Sequence, residues 1–198
     1  MKRLMGHAFL AGGLMLASWC VTESANAQAK FFELSSTTFK DGQMFPQKVV
    51  NNTAGSPNCV GENVSPQLSW ANPPAGTKSF AITMVDPEGR GGGGVNHWVA
   101  YGIAPDVTSL AEGEASKASP KFVGGKGSGG KDVFQGPCTP PNVQPHHYTI
   151  VIVATDFEPK ELPPGLTREE LVAKIVPASG PRREKGSAGL VGLWVKPN

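Results

Sequence analysis

Residues 80–101 read FAITMVDPE (80–88), GRGGGG (89–94), V (95) and NHWVAY (96–101), and this stretch decides the fold. Its two apolar runs carry β-branched and aromatic side chains, whereas the glycines between them suit neither a helix nor a strand. The pattern therefore predicts a strand, a loop and a second strand. A hairpin-like connection would set Asp86, at the end of the first strand, opposite His97, near the start of the second.

A further strand with histidines at its start is predicted at residues 146–154, HHYTIVIVA, after a loop rich in proline and glycine. Outside the N-terminal leader, all three histidines (His97, His146 and His147) stand at predicted strand starts. A single histidine is more often structural than functional, but three at strand ends beside Asp86 favour a site. We therefore expect these strands to bring Asp86, His97 and His146 to one small polar pocket that accepts an anion.

Shorter patterns predict the remaining elements. Thr167 and Glu170 form a capping box, and the apolar side chains at 171, 172 and 175 share one face, so a helix is predicted over 166–175. Short apolar runs bounded by glycine, proline and asparagine predict further extended segments. These are strands at 31–36, 68–70 and 189–195 and an extended piece at 48–50.

Residues 106–133 are poor in apolar side chains and predict loop. Within them, Gly125–Gly130 formally matches the G-x-G-x-x-G pattern of dinucleotide-binding turns. Such a site needs a strand before it and a helix after it, and VFQGP at 133–137 cannot form that helix. No glycine-lysine-serine or glycine-lysine-threonine sequence completes a P-loop either. We therefore expect a flexible surface loop at Gly125–Gly130.

Residues 1–27 have the pattern of a secretory signal peptide. Two basic residues precede a mostly apolar run at 8–21, and Ala25-Asn-Ala27 predicts cleavage after Ala27. The apolar run is short for a membrane span, so an uncleaved helix is the less favoured alternative. Lipoprotein attachment at Cys20 is rejected, because the bulky Trp19 stands where a small residue is required. We expect a periplasmic or secreted protein without a stable membrane anchor.

Charge and composition narrow the functions and folds that this chain can have. The formal net charge of +2 falls to +1 without residues 1–27, and no lysine and arginine cluster is present, which argues against nucleic-acid or membrane-surface binding through charge. The remaining 171 residues suffice for one core but not for two, so residues 28–198 are predicted to form a single domain. The chain has 18 prolines, 25 glycines and only short apolar runs, which predicts an all-β fold with long loops.

Two cysteines, Cys59 and Cys138, remain in the exported chain. A pair in an oxidising compartment predicts a disulfide, to which the chain-entropy model assigns roughly 4–5 kcal/mol. A reactive thiol or half of a metal site is the alternative, but two isolated thiols match no zinc spacing. The bond would tie the Cys59 loop to Gly136-Pro137-Cys138, a segment that we expect at the pocket wall.

Catalytic and metal sites find less support than anion binding. Asp86, His97 and His146 can bind iron or zinc by type, but no His-Glu-x-x-His spacing is present, so no metal is expected. Acyl transfer lacks a Gly-x-Ser-x-Gly elbow, and the disulfide would remove the cysteine nucleophile. No cofactor is expected.

Anion binding suits the convergent residues best. An imidazole offers ring N–H donors, and a nearby carboxylate can hold its tautomer and raise its pKa. The amide of Gly136, which has no Cβ, can approach a phosphate oxygen, and Pro137 would fix the loop before a ligand binds. Asp86 and Glu88 would then orient histidines or receive an amine of the ligand.

Several motifs, in the same order along the chain, resemble the phosphatidylethanolamine-binding proteins, also called Raf kinase inhibitor proteins, in their bacterial branch. Together these motifs cover nearly all of residues 58–195. They are CVGENVSPQLSW (59–70), PAGTKSF (74–80), DPE (86–88) with HW (97–98), GPCTPP (136–141) with PHHY (145–148) and, more weakly, GLVG (189–192).

The resemblance implies a mainly β fold with a large antiparallel central sheet, a second small sheet, long loops and one or two short helices. It also implies a pocket for phosphate, acetate or a phosphorylated head group. By position, the ligand-binding residues would be Asp86, Glu88, His97, Gly136, Pro137, His146 and Tyr148. The chain departs from the family pattern at Glu88, which replaces an aspartate, and at His147, which replaces an arginine and so removes a permanent charge.

The leading hypothesis is an exported protein, not an enzyme, that binds a small anion or a phosphorylated head group. Members of the family are described as inhibitors of kinases or proteases, so such a protein partner is a further expectation. The alternative is an interaction protein that inhibits a hydrolase or kinase through its surface while its pocket is vestigial. A metal-dependent hydrolase is the third hypothesis.

Overall fold

The computed structural model describes residues 30–141 and 144–197, and the predicted signal peptide lies outside that part of the chain. The described residues form nine strands, one α-helix and two short 3-10 helices, Gln47–Val49 and Glu114–Ser116. In chain order the main elements are β1 (Glu33–Ser35), β2 (Gln43–Met44), β3 (Leu68–Ala71), β4 (Ser79–Asp86), β5 (Val95–Ile103), β6 (Ser109–Leu110), β7 (Val123–Gly124), β8 (His146–Thr155), α1 (Arg168–Ile175) and β9 (Glu184–Trp194). The predicted mainly β class is confirmed.

The strands form two sheets. A small antiparallel sheet has the order β1-β3-β6, and a large sheet has the order β2-β9-β8-β4-β5-β7. Neighbours in the large sheet are antiparallel except for β2, which runs parallel to β9. The two outer strands of the large sheet, β2 and β7, have only two residues each. This topology confirms the large and small sheets that the resemblance implies.

Both faces of the large sheet are covered, which explains why β4 has apolar side chains on both of its faces. Phe80 and Ile82 join the cluster between the two sheets, where Phe80 meets Trp70 of β3 with ring centroids 5.6 Å apart. Ala81 belongs instead to a second cluster, on the face that α1 covers with Leu171. Because alternate side chains of a strand face opposite sides, one strand serves both cores.

The helix α1 begins with the predicted capping box. Thr167 Oγ1 accepts from the Glu170 amide (3.2 Å), and Glu170 Oε2 accepts from the Thr167 amide (2.8 Å). Leu171 and Ile175 are buried, but Val172, predicted on the same face, is 42% exposed because successive residues are rotated by about 100° around the axis. Among the described helices, none combines the length and apolar character that crossing a bilayer requires.

The structure corrects the type of one predicted segment and the start of another. Residues 47–49 form a 3-10 helix instead of an extended piece, since the amides of Val49 and Val50 donate to carbonyls three residues back. The last strand begins at Glu184 instead of 189, because backbone pairing with β8 continues through small and charged residues that carry no apolar signal.

The segment 106–133, predicted as loop, contains β6, β7 and a 3-10 helix. Gly125, expected in a flexible surface loop, packs against β5 and donates its amide to the Val99 carbonyl (2.9 Å). A Cβ at Gly125 would lie 2.5 Å from the Leu166 carbonyl oxygen. The missing side chain therefore permits close packing at this position.

The predicted disulfide joins Cys59 and Cys138, which are 79 residues apart in sequence. Their Cα atoms are 4.6 Å apart, within the range that disulfides adopt. The bond ties the loop before β3 to the segment before β8, so it fixes a wall of the site described next.

Candidate functional site

A cavity of about 450 Å³ opens where β4 ends and where β5 and β8 begin. Because β4 is antiparallel to both neighbours, its C-terminal end meets their N-terminal ends at one edge of the sheet. Five predicted site residues line the cavity, namely Asp86, Glu88, His97, His146 and Tyr148. The glycine-rich loop and Cys138–Pro140 complete most of the wall. The structure therefore brings Asp86, His97 and His146 together at this edge of the sheet, as the strand pattern predicted.

The glycine-rich loop closes over Asp86. The amide of Gly89 donates to Asp86 Oδ1 (2.9 Å), and a Cβ at Gly89 would lie 2.6 Å from Val95 Cγ2. The next residues, Arg90 (φ 55°) and Gly91 (φ 67°), have the left-handed backbone that glycine adopts most easily. The tight turn leaves the Arg90 side chain exposed at the cavity mouth.

Asp86 is only 2% exposed, and both of its carboxylate oxygens have partners. Oδ1 accepts from Gly89, and Oδ2 lies 2.8 Å from Nδ1 of His146. An ionised carboxylate only accepts, so Nδ1 of His146 carries the proton and Nε2 is the free ring nitrogen. A hydrogen bond to a charged group is worth roughly 1.5–3 kcal/mol, and this one joins the end of β4 to the start of β8.

His97 is 9% exposed, and its Nδ1 lies 2.9 Å from the Gln135 carbonyl oxygen, to which it donates. The ring stands edge-on to Tyr148, with centroids 5.1 Å apart. Burial lowers the pKa of His97 and outweighs the Gln135 carbonyl and the charge of Asp86, which both act to raise it. Asp86 therefore acts on the pKa of His97 in the expected direction, but the net pKa is lowered because the loss of water is the larger effect.

Two buried hydroxyls at the cavity have no hydrogen-bond partner among the described residues. They are Oη of Tyr148, which is 0% exposed, and Oγ1 of Thr139. Thr139 and Asp86 approach the phenol, but neither contact has hydrogen-bonding geometry. Burial and then the charge of Asp86 raise the pKa of Tyr148, so the phenol keeps its proton. An unpaired buried hydroxyl costs roughly 1–3 kcal/mol, and both of these are free to donate to a ligand.

Glu88 is half exposed and holds the start of β8. Its carboxylate accepts from Nδ1 of His147 (2.7 Å) and from the His147 amide (3.1 Å). Burial alone would raise the pKa of Glu88, but the two hydrogen bonds from His147 outweigh burial and leave the pKa below its ordinary value. Glu88 thus orients a histidine, one of the two roles expected for it.

Gly136 and Pro137, the other predicted site residues, do not line the cavity. The Gly136 amide donates to Asn63 Oδ1 (2.8 Å), and the Pro137 carbonyl accepts from the Asn51 amide (2.8 Å). A Cβ at Gly136 would collide with the Val49 carbonyl oxygen. This corrects the placement expected from the sequence: packing requires the glycine, and its amide already has a partner.

Two polar side chains of the described cavity lining, those of Thr139 and Arg90, were not predicted as ligand-binding. Thr139 lies beside Cys138 in the GPCTPP motif, so its neighbours were the available signal. Arg90 stands within the glycine run, where its charge is the only sequence feature that marks it.

Three cavity groups can hold a metal ion by type. One ligand atom each from Asp86, Glu88 and His146 lies within 4.8 Å of the others. Glu88 takes the place that the sequence-based set gave to His97, whose Nδ1 faces Gln135. In the structure described, these groups are paired within the protein, His146 with Asp86 and Glu88 with His147.

Comparisons of sequence give relatives for most of the chain. A sequence model of the phosphatidylethanolamine-binding protein family matches residues 35–179. The chain is 35% identical over 137 residues to UPF0098 protein YbcL of Escherichia coli, and this alignment covers 67% of this chain and 73% of YbcL. It is 33% identical over 161 residues to LppC of Mycobacterium tuberculosis, named as a lipoprotein, with coverage of 81% and 71%.

Solved structures give the same answer. The crystal structure of Escherichia coli YbcL, described as a new member of the mammalian family, has a TM-score of 0.71 and 30% identity, and covers 84% of this chain and 99% of that one. CT736 of Chlamydia trachomatis, described as a homologue of the phosphatidylethanolamine-binding proteins, has a TM-score of 0.68 and 28% identity, with coverage of 84% and 98%. This chain belongs to the phosphatidylethanolamine-binding protein family.

Proposed function

We propose that the protein is an exported binding protein whose cavity holds a small anion or a phosphorylated head group. The observation that carries the proposal is the pair of unpaired hydroxyls, Tyr148 Oη and Thr139 Oγ1, at the wall of the cavity. Both can donate to a ligand oxygen, which would remove the cost of leaving them buried without a partner. Arg90 adds an exposed positive charge at the mouth, where it favours the approach of an anion.

The proposed role is to bind a ligand without catalysing a reaction. The relatives that carry UPF0098 names have no reaction in those names. The family-implied ligands, phosphate and phosphorylated head groups, offer several acceptor oxygens, which is what two hydroxyl donors require.

Export is supported by two observations. The disulfide between Cys59 and Cys138 is of the kind that persists in an oxidising compartment, and one relative is named as a lipoprotein. Expression of the full chain, followed by mass spectrometry of the periplasmic or secreted fraction, tests the predicted cleavage. A protein that begins at Gln28 is expected, and full-length protein retained in the cytoplasm would contradict export.

The anion proposal is tested by titrating the purified protein with inorganic phosphate in a calorimeter. Tyr148→Phe removes only the unpaired hydroxyl, so it should weaken phosphate binding roughly tenfold. The matched control is Tyr101→Phe, which removes the chain's other phenol, far from the cavity lining, and should leave the affinity unchanged. Wild-type protein that binds neither phosphate nor acetate would refute the proposal, as would a Tyr148→Phe variant with wild-type affinity.

A metal-dependent hydrolase is a second candidate, and one observation favours it: the grouping of Asp86, Glu88 and His146. Metal binding would have to break the bonds from His146 to Asp86 and from His147 to Glu88. Elemental analysis of the purified protein separates the candidates. Stoichiometric zinc or iron that is lost in Glu88→Gln would favour the hydrolase.

A further inference from the structure

The hydrogen-bonding groups of the cavity limit which anions can bind, and the first of these groups is His97. Its Nδ1 proton is committed to the Gln135 carbonyl at 2.9 Å, so Nε2 is the ring nitrogen left for a ligand. In the neutral imidazole that nitrogen carries a lone pair and can only accept. The ring is buried, which disfavours the charged form. Around it lie Asp86, His146, Tyr148 and the backbone of Gln135 and Gly136.

His146 repeats the same arrangement from the neighbouring strand. Its Nδ1 is bonded to Asp86 Oδ2 at 2.8 Å, so its Nε2 is also an acceptor whenever the ring is neutral. The other oxygen of Asp86 is held by the Gly89 amide, which fixes the carboxylate in the cavity wall. A ligand therefore meets a buried negative charge beside two nitrogen lone pairs.

The cavity lining offers little fixed positive charge to balance a strongly negative ligand. Apart from histidines and the tyrosine, the acidic and basic side chains among the described lining residues are Asp86, Glu88 and Arg90. Arg90 is exposed, and its guanidinium donates to the Ser128 carbonyl (3.4 Å), outside the lining. His147, which is bonded to Glu88, does not line the cavity and carries no permanent charge.

We propose that the cavity selects singly charged oxyanions that carry a proton, such as dihydrogen phosphate and phosphomonoester monoanions, over doubly charged anions such as sulfate. This inference rests on the proposed function. The ligand P–OH donates to Nε2 of His97, and its other oxygens accept from Tyr148 and Thr139. Sulfate cannot donate, so it would leave the buried lone pair unpaired and face Asp86 with a second negative charge. Sites built around a buried hydrogen-bonding group reject analogues that lack the matching group.

Calorimetry on the purified protein tests this at one pH slightly above neutrality, with inorganic phosphate and sulfate titrated in two buffers of different ionisation enthalpy. We expect phosphate to bind and sulfate to bind roughly 10- to 100-fold more weakly. Phosphate binding should take up protons, because part of the free phosphate is the dianion, whereas sulfate binding should take up none.

The remaining outcomes separate this inference from the proposed function. Sulfate that binds as tightly as phosphate, with or without proton uptake, overturns the inference while anion binding stands. Binding of neither anion overturns both. The wild-type measurements decide the matter even if a variant at His97 fails to fold.

His97→Gln supplies a positive test of the same residue. A glutamine amide can turn its NH₂ group toward the ligand, so sulfate becomes acceptable and the ratio of phosphate to sulfate affinity should fall toward one. Lys174→Gln, which introduces the same residue at an exposed position on α1, is the control and should leave the ratio unchanged. A His97→Gln variant that folds and keeps the wild-type ratio contradicts the role given to Nε2.

Discussion

The chain has two tyrosines, one on each face of the large sheet, and they are equally buried but differently bonded. Tyr101, 1% exposed, donates to the Pro163 carbonyl (2.6 Å) and accepts from the Leu166 amide (3.1 Å) on the face that α1 covers. Tyr148, 0% exposed, has no partner for its hydroxyl among the described residues. The Tyr101 hydroxyl is thus satisfied by the protein itself, whereas the Tyr148 hydroxyl at the cavity is left for another partner. Stability and binding should therefore be separable by mutation.

The largest effect on stability is expected from removal of the disulfide. This change also tests whether the bond holds the cavity wall in place. Replacing both Cys59 and Cys138 by Ser should lower the free energy of unfolding by about 4 kcal/mol. Phosphate affinity should fall as well, since Thr139 and Pro140 of the cavity wall directly follow Cys138. Urea unfolding and calorimetry measure the two quantities. Unchanged affinity in a folded double variant would show that the wall is held by other contacts.

The second-largest effect on stability is expected from Tyr101, because its hydroxyl has partners within the protein and that of Tyr148 has none among the described residues. Tyr101→Phe leaves the Leu166 amide and the Pro163 carbonyl without their partner, so the free energy of unfolding should fall by about 1–3 kcal/mol. Tyr148→Phe loses no hydrogen bond among the described residues and removes the cost of an unpaired buried hydroxyl, so the free energy of unfolding should be unchanged or higher by up to about 1–3 kcal/mol. Urea unfolding of both variants checks this. Equal losses in the two would mean that the Tyr148 hydroxyl has a partner in solution.

Acidic pH should lower the free energy of unfolding, in part because of His97. Burial lowers the pKa of His97 in the folded protein, so the unfolded chain binds the proton more readily. The stability contributed by the neutral ring is present above the ordinary pKa of about 6.5 and is lost as the pH falls from there toward the folded value. The loss is about 1.4 kcal/mol for each unit of pKa difference.

Unfolding of wild type and His97→Gln at pH 7.5 and pH 5 isolates this effect, because the other titrating groups are common to both proteins. The wild type should lose more stability on acidification than the variant. An equal loss in the two would show that His97 titrates normally in the folded protein.

The smallest effect is expected at the start of α1. Thr167→Ala removes one half of the capping box and should cost about 1 kcal/mol of stability. Phosphate affinity should not change, because the helix packs on the face opposite the cavity-side core. A loss of affinity in this variant would show that the two faces are coupled.

The sequence was most informative where a local pattern fixes the geometry. Asp86 and His97 were placed together because the glycine run leaves only a tight connection between two strands, and the capping box at Thr167 marked the start of α1. The disulfide followed from the count of cysteines. These features depend on neighbours in sequence or on a simple pairing, so they need no knowledge of the packed structure.

Tertiary contacts explain the rest. The partner of the Gly136 amide is Asn63, which is 73 residues away in sequence, so no pattern around Gly136 announces that the amide is occupied. The direction of the pKa shift of His97 depends on how much water the fold removes, which the residue types alone do not give. The early start of β9 depends on pairing with β8 and not on its own residues.

The ends of the large sheet have a consequence for behaviour at high concentration. An outer strand with unpaired backbone groups can recruit another chain, which is the first step of ordered aggregation. Here β2 and β7 are too short to serve as templates. Beyond the two residues of β9 that pair with β2, that strand begins with Glu184 and Lys185, and Lys185 is ion-paired with Asp156 (2.7 Å). A protein built in this way should therefore stay dispersed as its concentration rises.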